Sequence, residues 1–75
     1  MKEEFYFTLF LGSFVANTYI GTRSNAKAYF LRWIHKHIPD AYQYDFYVKR
    51  YCTLSNMLND CDPLDTYTID ISESA

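Results

Sequence analysis

Few residues of this chain could do chemistry, and each cluster can be weighed by its spacing. His35-Lys36-His37 invites a metal-ligand reading. On a helix, residues two apart project about 200° apart, so these imidazoles cannot hold one ion through a shared helix face. His37 falls on the apolar side of the helix argued below and is expected to be half-buried against a loop carbonyl. His35 is expected on the surface. Cys52 and Cys61 lack the close spacing of a zinc knuckle. Cys52 with a distant His is the minimum for a thiol nucleophile, but no orienting third group or oxyanion site can be read beside it. Asp60, Asp62 and Asp65 faintly resemble a calcium loop. They lack its sharp-turn Gly and distal Glu, Pro63 interrupts them, and a solvated turn is expected. Gly12 and Gly21 are the only glycines, and neither has phosphate-cradle spacing. The chain is therefore expected to be non-enzymatic, with no catalytic residue, no cofactor and no metal.

Two surface features carry the functional expectation. The first is an aromatic and basic face formed by Tyr47, Lys49 and Tyr51 with Tyr6 and Phe10. Such faces make protein interfaces, where Tyr is favoured, and also stack the bases of single-stranded nucleic acid. The second is the acidic stretch with Asp60, Asp62 and Asp65. From Arg23 to Arg50 there are six bases against two acids; from Tyr51 onward there are five acids and no base. Internal charge balance is the plain reading of that asymmetry. A net charge of −2 gives no general drive toward phosphate backbones, which ranks nucleic acid below a protein partner.

These residues must be positioned by a small set of elements. Residues 25–38 read as the organising helix. Ala26, Tyr29, Phe30, Trp33, Ile34 and His37 share one side, widened by Leu31 and Ile38. Ser24 or Asn25 can cap its start, and Pro39 ends it. A helix of about 13 residues is marginal alone in water, so packing must hold it. Trp33 and Phe30 are expected to supply about 2–3 kcal/mol each.

Residues 4–11 alternate as a strand with two apolar faces, which suits a central position. Gly12-Ser13 is a turn signal, and residues 15–21 read as the second strand of a hairpin. Residues 42–53 give the longest strand pattern, with Tyr42, Tyr44, Phe46, Val48 and Arg50 toward the helix. Residues 53–60 fit either one or two helical turns or an irregular loop. Residues 66–71 form a last strand, and 72–75 a frayed tail. The expected fold is α+β with two layers in the order ββαββ. One helix packs on a small, mostly antiparallel sheet, within a single domain spanning 1–75.

A chain of 75 residues buries a modest core, and small domains compensate by disulfides, metals or oligomerisation. The unusual resource here is aromatic content, at 20% of residues, enough for a dense core with rings left for an interface. A homodimer is accordingly one expected use of that surplus. The N-terminal apolar run has no cleavage-type segment and is too short to span a bilayer. A cytoplasmic location, with reduced cysteines and no membrane association, is expected.

The segments Phe7–Gly12, Asn25–Trp33 and Asp45–Tyr51, a strand then a helix then a strand, give the chain a familiar layout. It resembles the small orphan proteins encoded by bacteriophages. It is similar in layout to anti-CRISPR and other host-defence inhibitors, and to the short nonstructural proteins of microviruses. No motif is shared, so no functional residue is carried over. The resemblance implies a protein of the host cell's cytoplasm that binds and blocks a host protein or ribonucleoprotein complex. The leading expectation is therefore an interaction protein that occludes such a partner, with Tyr47, Lys49, Tyr51, Asp60, Asp62 and Asp65 as partner-binding residues. The alternative is a small single-stranded nucleic-acid binder that uses the same aromatic and basic face.

Overall fold

Leu11 and Phe14 face each other across a two-residue turn, and Gly12 supplies the positive φ of +60° that the reversal needs. The hairpin joins β1 (Phe5–Leu11) to β2 (Phe14–Gly21). The chain continues through α1 (Arg23–His37), a 3-10 turn (Ala41–Gln43), β3 (Phe46–Tyr51), α2 (Leu54–Asn59) and β4 (Asp65–Thr68). The structure, a computed structural model, describes residues 3–73. The four strands form one antiparallel sheet in the order β2-β1-β3-β4.

β1 is central, as its two apolar faces predict. Phe7 and Leu9 point to the α1 side, and Thr8 and Phe10 to the other, and all four are buried. Across the sheet Leu9 meets Val48 and Leu11 meets Phe46, so β3 adds its own apolar set to the same side. Ala26, Phe30, Leu31 and Ile34 of α1 close over them. Burial of such a stripe holds a helix that would be marginal alone. Tyr19 of β2 meets Tyr29 at 4.8 Å and Phe30 at 6.4 Å between ring centroids, extending the core as an aromatic cluster.

Several boundaries differ from expectation. The helix starts at Arg23, capped by Thr22, whose Oγ1 accepts from Asn25 N at 3.3 Å. Ser24 and Asn25 lie inside the first turn. Trp33 is half-buried rather than central, and His37 is exposed, its ring 5.3 Å from that of Trp33. The stripe ends before His37 because the chain turns away at Ile38 and Pro39. It is His35 that meets a carbonyl, with Nε2 donating to Glu73 O at 3.2 Å.

The strand expected from residue 42 begins at Phe46. Gln43 N bonds Asp40 O at 3.0 Å and Tyr44 N bonds Ala41 O at 2.9 Å, so the local turn takes the donors a strand would need. This tucks Ala41 into the core and leaves Tyr42 78% exposed. β4 is short, but Ile69 N still bonds Phe46 O at 3.2 Å, and Ile69 is buried. Ser72 and Glu73 belong to the segment expected as a frayed tail. Ser72 bonds Asp70, and Glu73 pairs with Lys27 at 2.9 Å. Residues 74–75 lie outside those described. The largest departure from one helix on a sheet is α2, which covers the face opposite α1.

Candidate interaction surface

α2 is short, and its two ends explain why it forms. Thr53 Oγ1 accepts from Asn56 N at 3.1 Å, capping the first turn. At the other end Asp60 is left-handed, with φ 47°. Asp60 N bonds Met57 O at 3.2 Å and Cys61 N bonds Asn56 O at 3.0 Å. This pair of bonds satisfies carbonyls that the last turn leaves free, and Gly is the usual residue at its left-handed position. Here the position holds an aspartate, and the side chain explains the choice.

The Asp60 carboxylate reaches back to β3. It accepts from Tyr51 Oη at 2.5 Å and from Lys49 Nζ at 3.1 and 3.2 Å. Lys49 also stands 4.9 Å from the centroid of the Phe10 ring. Tyr51 is fully buried although α2 buries none of its own residues. Burial, and then the Asp60 carboxylate beside it, push the Tyr51 hydroxyl far above the usual phenol range. The Tyr51 and Lys49 hydrogen bonds hold the Asp60 carboxyl below the usual carboxylate range. One carboxylate thus clasps α2 to the sheet in its ionised form.

Asp65 serves a second junction on the other face. It opposes Arg50 across the β3–β4 ladder and receives the whole guanidinium fork, with Nε–Oδ1 at 3.2 Å and Nη2–Oδ2 at 3.0 Å. Arg23 of α1 adds Nη1–Oδ2 at 3.3 Å. Among the described residues Asp62 makes no ion pair; it is exposed, in a left-handed turn with φ 51°.

The residues expected to bind a partner therefore divide. Tyr47, Lys49 and Tyr51 do lie on one face with Tyr6 and Phe10. That face is not an open platform: Tyr51 and Phe10 are buried, Lys49 is engaged by Asp60, and Tyr47 is half-buried. The acidic stretch is not a free anionic patch either, since Asp60 and Asp65 neutralise bases of the preceding third of the chain. The plain reading of the charge asymmetry, internal balance, describes both.

What remains open on the α2 side includes apolar side chains beside the exposed threonines Thr18, Thr66 and Thr68. Val15 and Ile20 of β2, opposite Phe10 and Tyr6, are 61% and 53% exposed. Leu54 and Leu58, four apart on α2, are 45% and 73% exposed. The sequence signal for these positions was present as apolar residues, but nothing in it separated them from core. The free edge of β2 itself is blunted. The register slips between Leu9 and Phe10, and Asn17 Oδ1 takes the Thr18 N–H at 2.9 Å. Among the described residues no helix is long and apolar enough to cross a membrane, and no cluster of three metal-ligating side chains occurs. Compared with known proteins, the chain matches no family model, no curated protein and no solved structure.

Proposed function

We infer that this chain is a non-enzymatic interaction protein that docks on a larger partner and occludes it, with an apolar rather than a charged surface. The observation that supports this reading is the set of exposed aliphatic side chains Val15, Ile20, Leu54 and Leu58 on the α2 side of the sheet. Side chains of this kind at a desolvated interface supply contact area, and the half-buried rings of Tyr6 and Tyr47 on the same face add the aromatic component that interfaces favour. Blunting of the β2 edge favours docking through side chains over addition of a partner strand. A phage inhibitor of a host complex in the host cytoplasm is the biological setting this reading fits, and a second copy of the chain is the competing occupant.

The experiment is a binding comparison of two variants against an isolated partner from the host. Leu58→Asp replaces an exposed apolar group on the docking side, and Tyr42→Ala trims an equally exposed ring of the 3-10 turn, away from α2. Circular dichroism checks that both are folded. Loss of binding in Leu58→Asp with retention in Tyr42→Ala is the expected result. Equal binding by both would reject this surface. Sedimentation equilibrium of the wild type addresses the second copy: a dimer that Leu58→Asp dissociates would assign the surface to self-association.

A further inference from the structure

The lysines and arginines of α1 are Arg23, Lys27, Arg32 and Lys36, and the helix holds no acid. The first two stand four apart, and both are answered from within the chain, Arg23 by Asp65 at 3.3 Å and Lys27 by Glu73 at 2.9 Å. Arg32 and Lys36 repeat that spacing in the second half of the helix. Both are exposed, and neither makes an ion pair among the described residues. Like charges four apart on a helix repel, so this pair weakens the helix in a way that a bound anion would offset. Lys36 lies in the last turn, where the helix dipole favours a base; Arg32 lies more than a turn before the end, beyond that effect.

Beside these bases runs a row of rings. Tyr29, Trp33 and His37 fall four apart on the adjacent stripe of α1, over a rise of about 12 Å. Tyr29 packs on Tyr19 of β2 at 4.8 Å between ring centroids. Trp33 keeps part of its surface open, and the exposed His37 ring lies 5.3 Å from it. From Tyr19, β2 leads back to the hairpin turn, where Phe14 is 75% exposed and, opposite Leu11, on the α1 side of the sheet. β2, like α1, contains no acid. The next acids along the chain are Asp40 and Asp45. Asp40 is half-buried and accepts from Tyr44 Oη at 3.4 Å; Asp45 is exposed at the hairpin end, its carbonyl accepting from Gly12 N at 3.3 Å.

We propose that this flank of α1 binds a segment of single-stranded nucleic acid. Arg32 and Lys36 take two phosphates, and the rings of Trp33, His37 and Phe14 stack on bases. Aromatic side chains beside a basic track are the combination that holds a single strand without reading its sequence. An acidic peptide would use the two bases but leave the rings without planar partners. The net charge of −2 gives the rest of the surface no general phosphate affinity, so binding is confined to this flank and sensitive to salt. The proposal is independent of the docking reading, which concerns the opposite face.

The test titrates oligothymidylate into the protein at low salt and follows the fluorescence of Trp33, the only Trp of the chain. Saturable quenching is expected, with a slope of log K against log salt of about −1.4 for two phosphate contacts on a single strand. Arg32→Gln/Lys36→Gln should bring that slope close to zero. Phe14→Ser should weaken binding by about fivefold or more and leave the slope unchanged. All three positions are exposed, so these variants keep the core intact. Lys27→Gln removes a charge from the other half of α1 and should bind with the wild-type slope. Polyglutamate is the competing probe, and quenching by it equal to that by oligothymidylate would reassign the flank to an acidic protein partner and overturn the proposal. So would the absence of saturable quenching, an unchanged slope in Arg32→Gln/Lys36→Gln, or an equal loss of slope in Lys27→Gln.

Discussion

On the α1 side of the sheet, Phe7, Leu9 and Val48 are completely buried beneath Ala26, Phe30 and Ile34, and the polar contacts of α1 with the sheet, such as Arg23 with Asp65, lie at the edge of that apolar core. On the α2 side, Tyr51 and Thr8 are just as inaccessible, yet the helix above them buries none of its residues. One cover is held by apolar area and close packing, the other by hydrogen bonds to a single carboxylate. Apolar packing is non-directional and nearly indifferent to pH, so it fails when volume is removed. A charge-assisted clasp is directional and fails when its carboxylate is protonated or its partner is lost. Each side carries one buried hydroxyl without a hydrogen-bond partner, Thr8 Oγ1 on the α2 side and Tyr67 Oη on the α1 side.

Substitutions can break this contrast, starting with the largest expected effect. Phe30→Ala should cost about 3–5 kcal/mol in denaturant unfolding, enough to unfold much of a domain this small. A loss below about 1 kcal/mol would show that the α1 side is not the main source of stability. Tyr51→Phe should cost about 1–2 kcal/mol, since it removes the buried donor while leaving the ring in place. Amide exchange should show the loss concentrated in residues 54–61, and a uniform loss would deny the clasp its local role.

Asp60→Asn keeps a residue that tolerates the left-handed turn and removes the charge. Its cost at neutral pH should be smaller, about 1 kcal/mol or less, because the carboxylate is largely exposed. The sign of its pH dependence follows from the lowered carboxyl. Ionised Asp60 contributes stability above the unfolded value of about 3.9, and that contribution disappears as pH falls through the lower folded value. The stability gap between wild type and Asp60→Asn should therefore close in acid. A gap that widened would reverse the assignment. Leu58→Ser should change stability least, by no more than about 0.5 kcal/mol, since the side chain is already in water. A larger loss would mean that α2 is held by packing after all.

The parts legible in the sequence were those written in a repeating pattern. The alternation of Phe5 to Leu11 and the spacing of Ala26, Phe30 and Ile34 gave the central strand and the buried helix stripe. The hairpin followed from Gly12-Ser13. What could not be read was set by neighbours distant in sequence. Tyr51 looked exposed because its strand alternates with Lys49 and Tyr47, and only the return of Asp60 covers it. Asp65 and Arg50 carry no local sign that they meet, and the closure of Ile38 to Tyr44 into a tight turn overrode the strand pattern of Tyr42 and Tyr44. The partner-binding set chosen from sequence mixed residues of one face with Asp60, their intramolecular partner, with Asp65, which pairs with Arg50 and Arg23, and with Asp62, which makes no ion pair among the described residues.

The strand order has a kinetic consequence. β1 reaches β2 across two residues, but it reaches β3 only after the chain has passed through the whole of α1. Hairpins and helices form within microseconds, whereas closing a long loop must be completed before its contacts stabilise anything. The expected transition state therefore has the hairpin and α1 largely formed while β3 is still docking, and α2 ordered last. Folding-rate measurements on Tyr19→Ala, in the aromatic cluster between β2 and α1, and on Val48→Ala would separate the two steps. A smaller slowing of folding per unit of lost stability at Val48 than at Tyr19 fits this order, and the reverse would refute it.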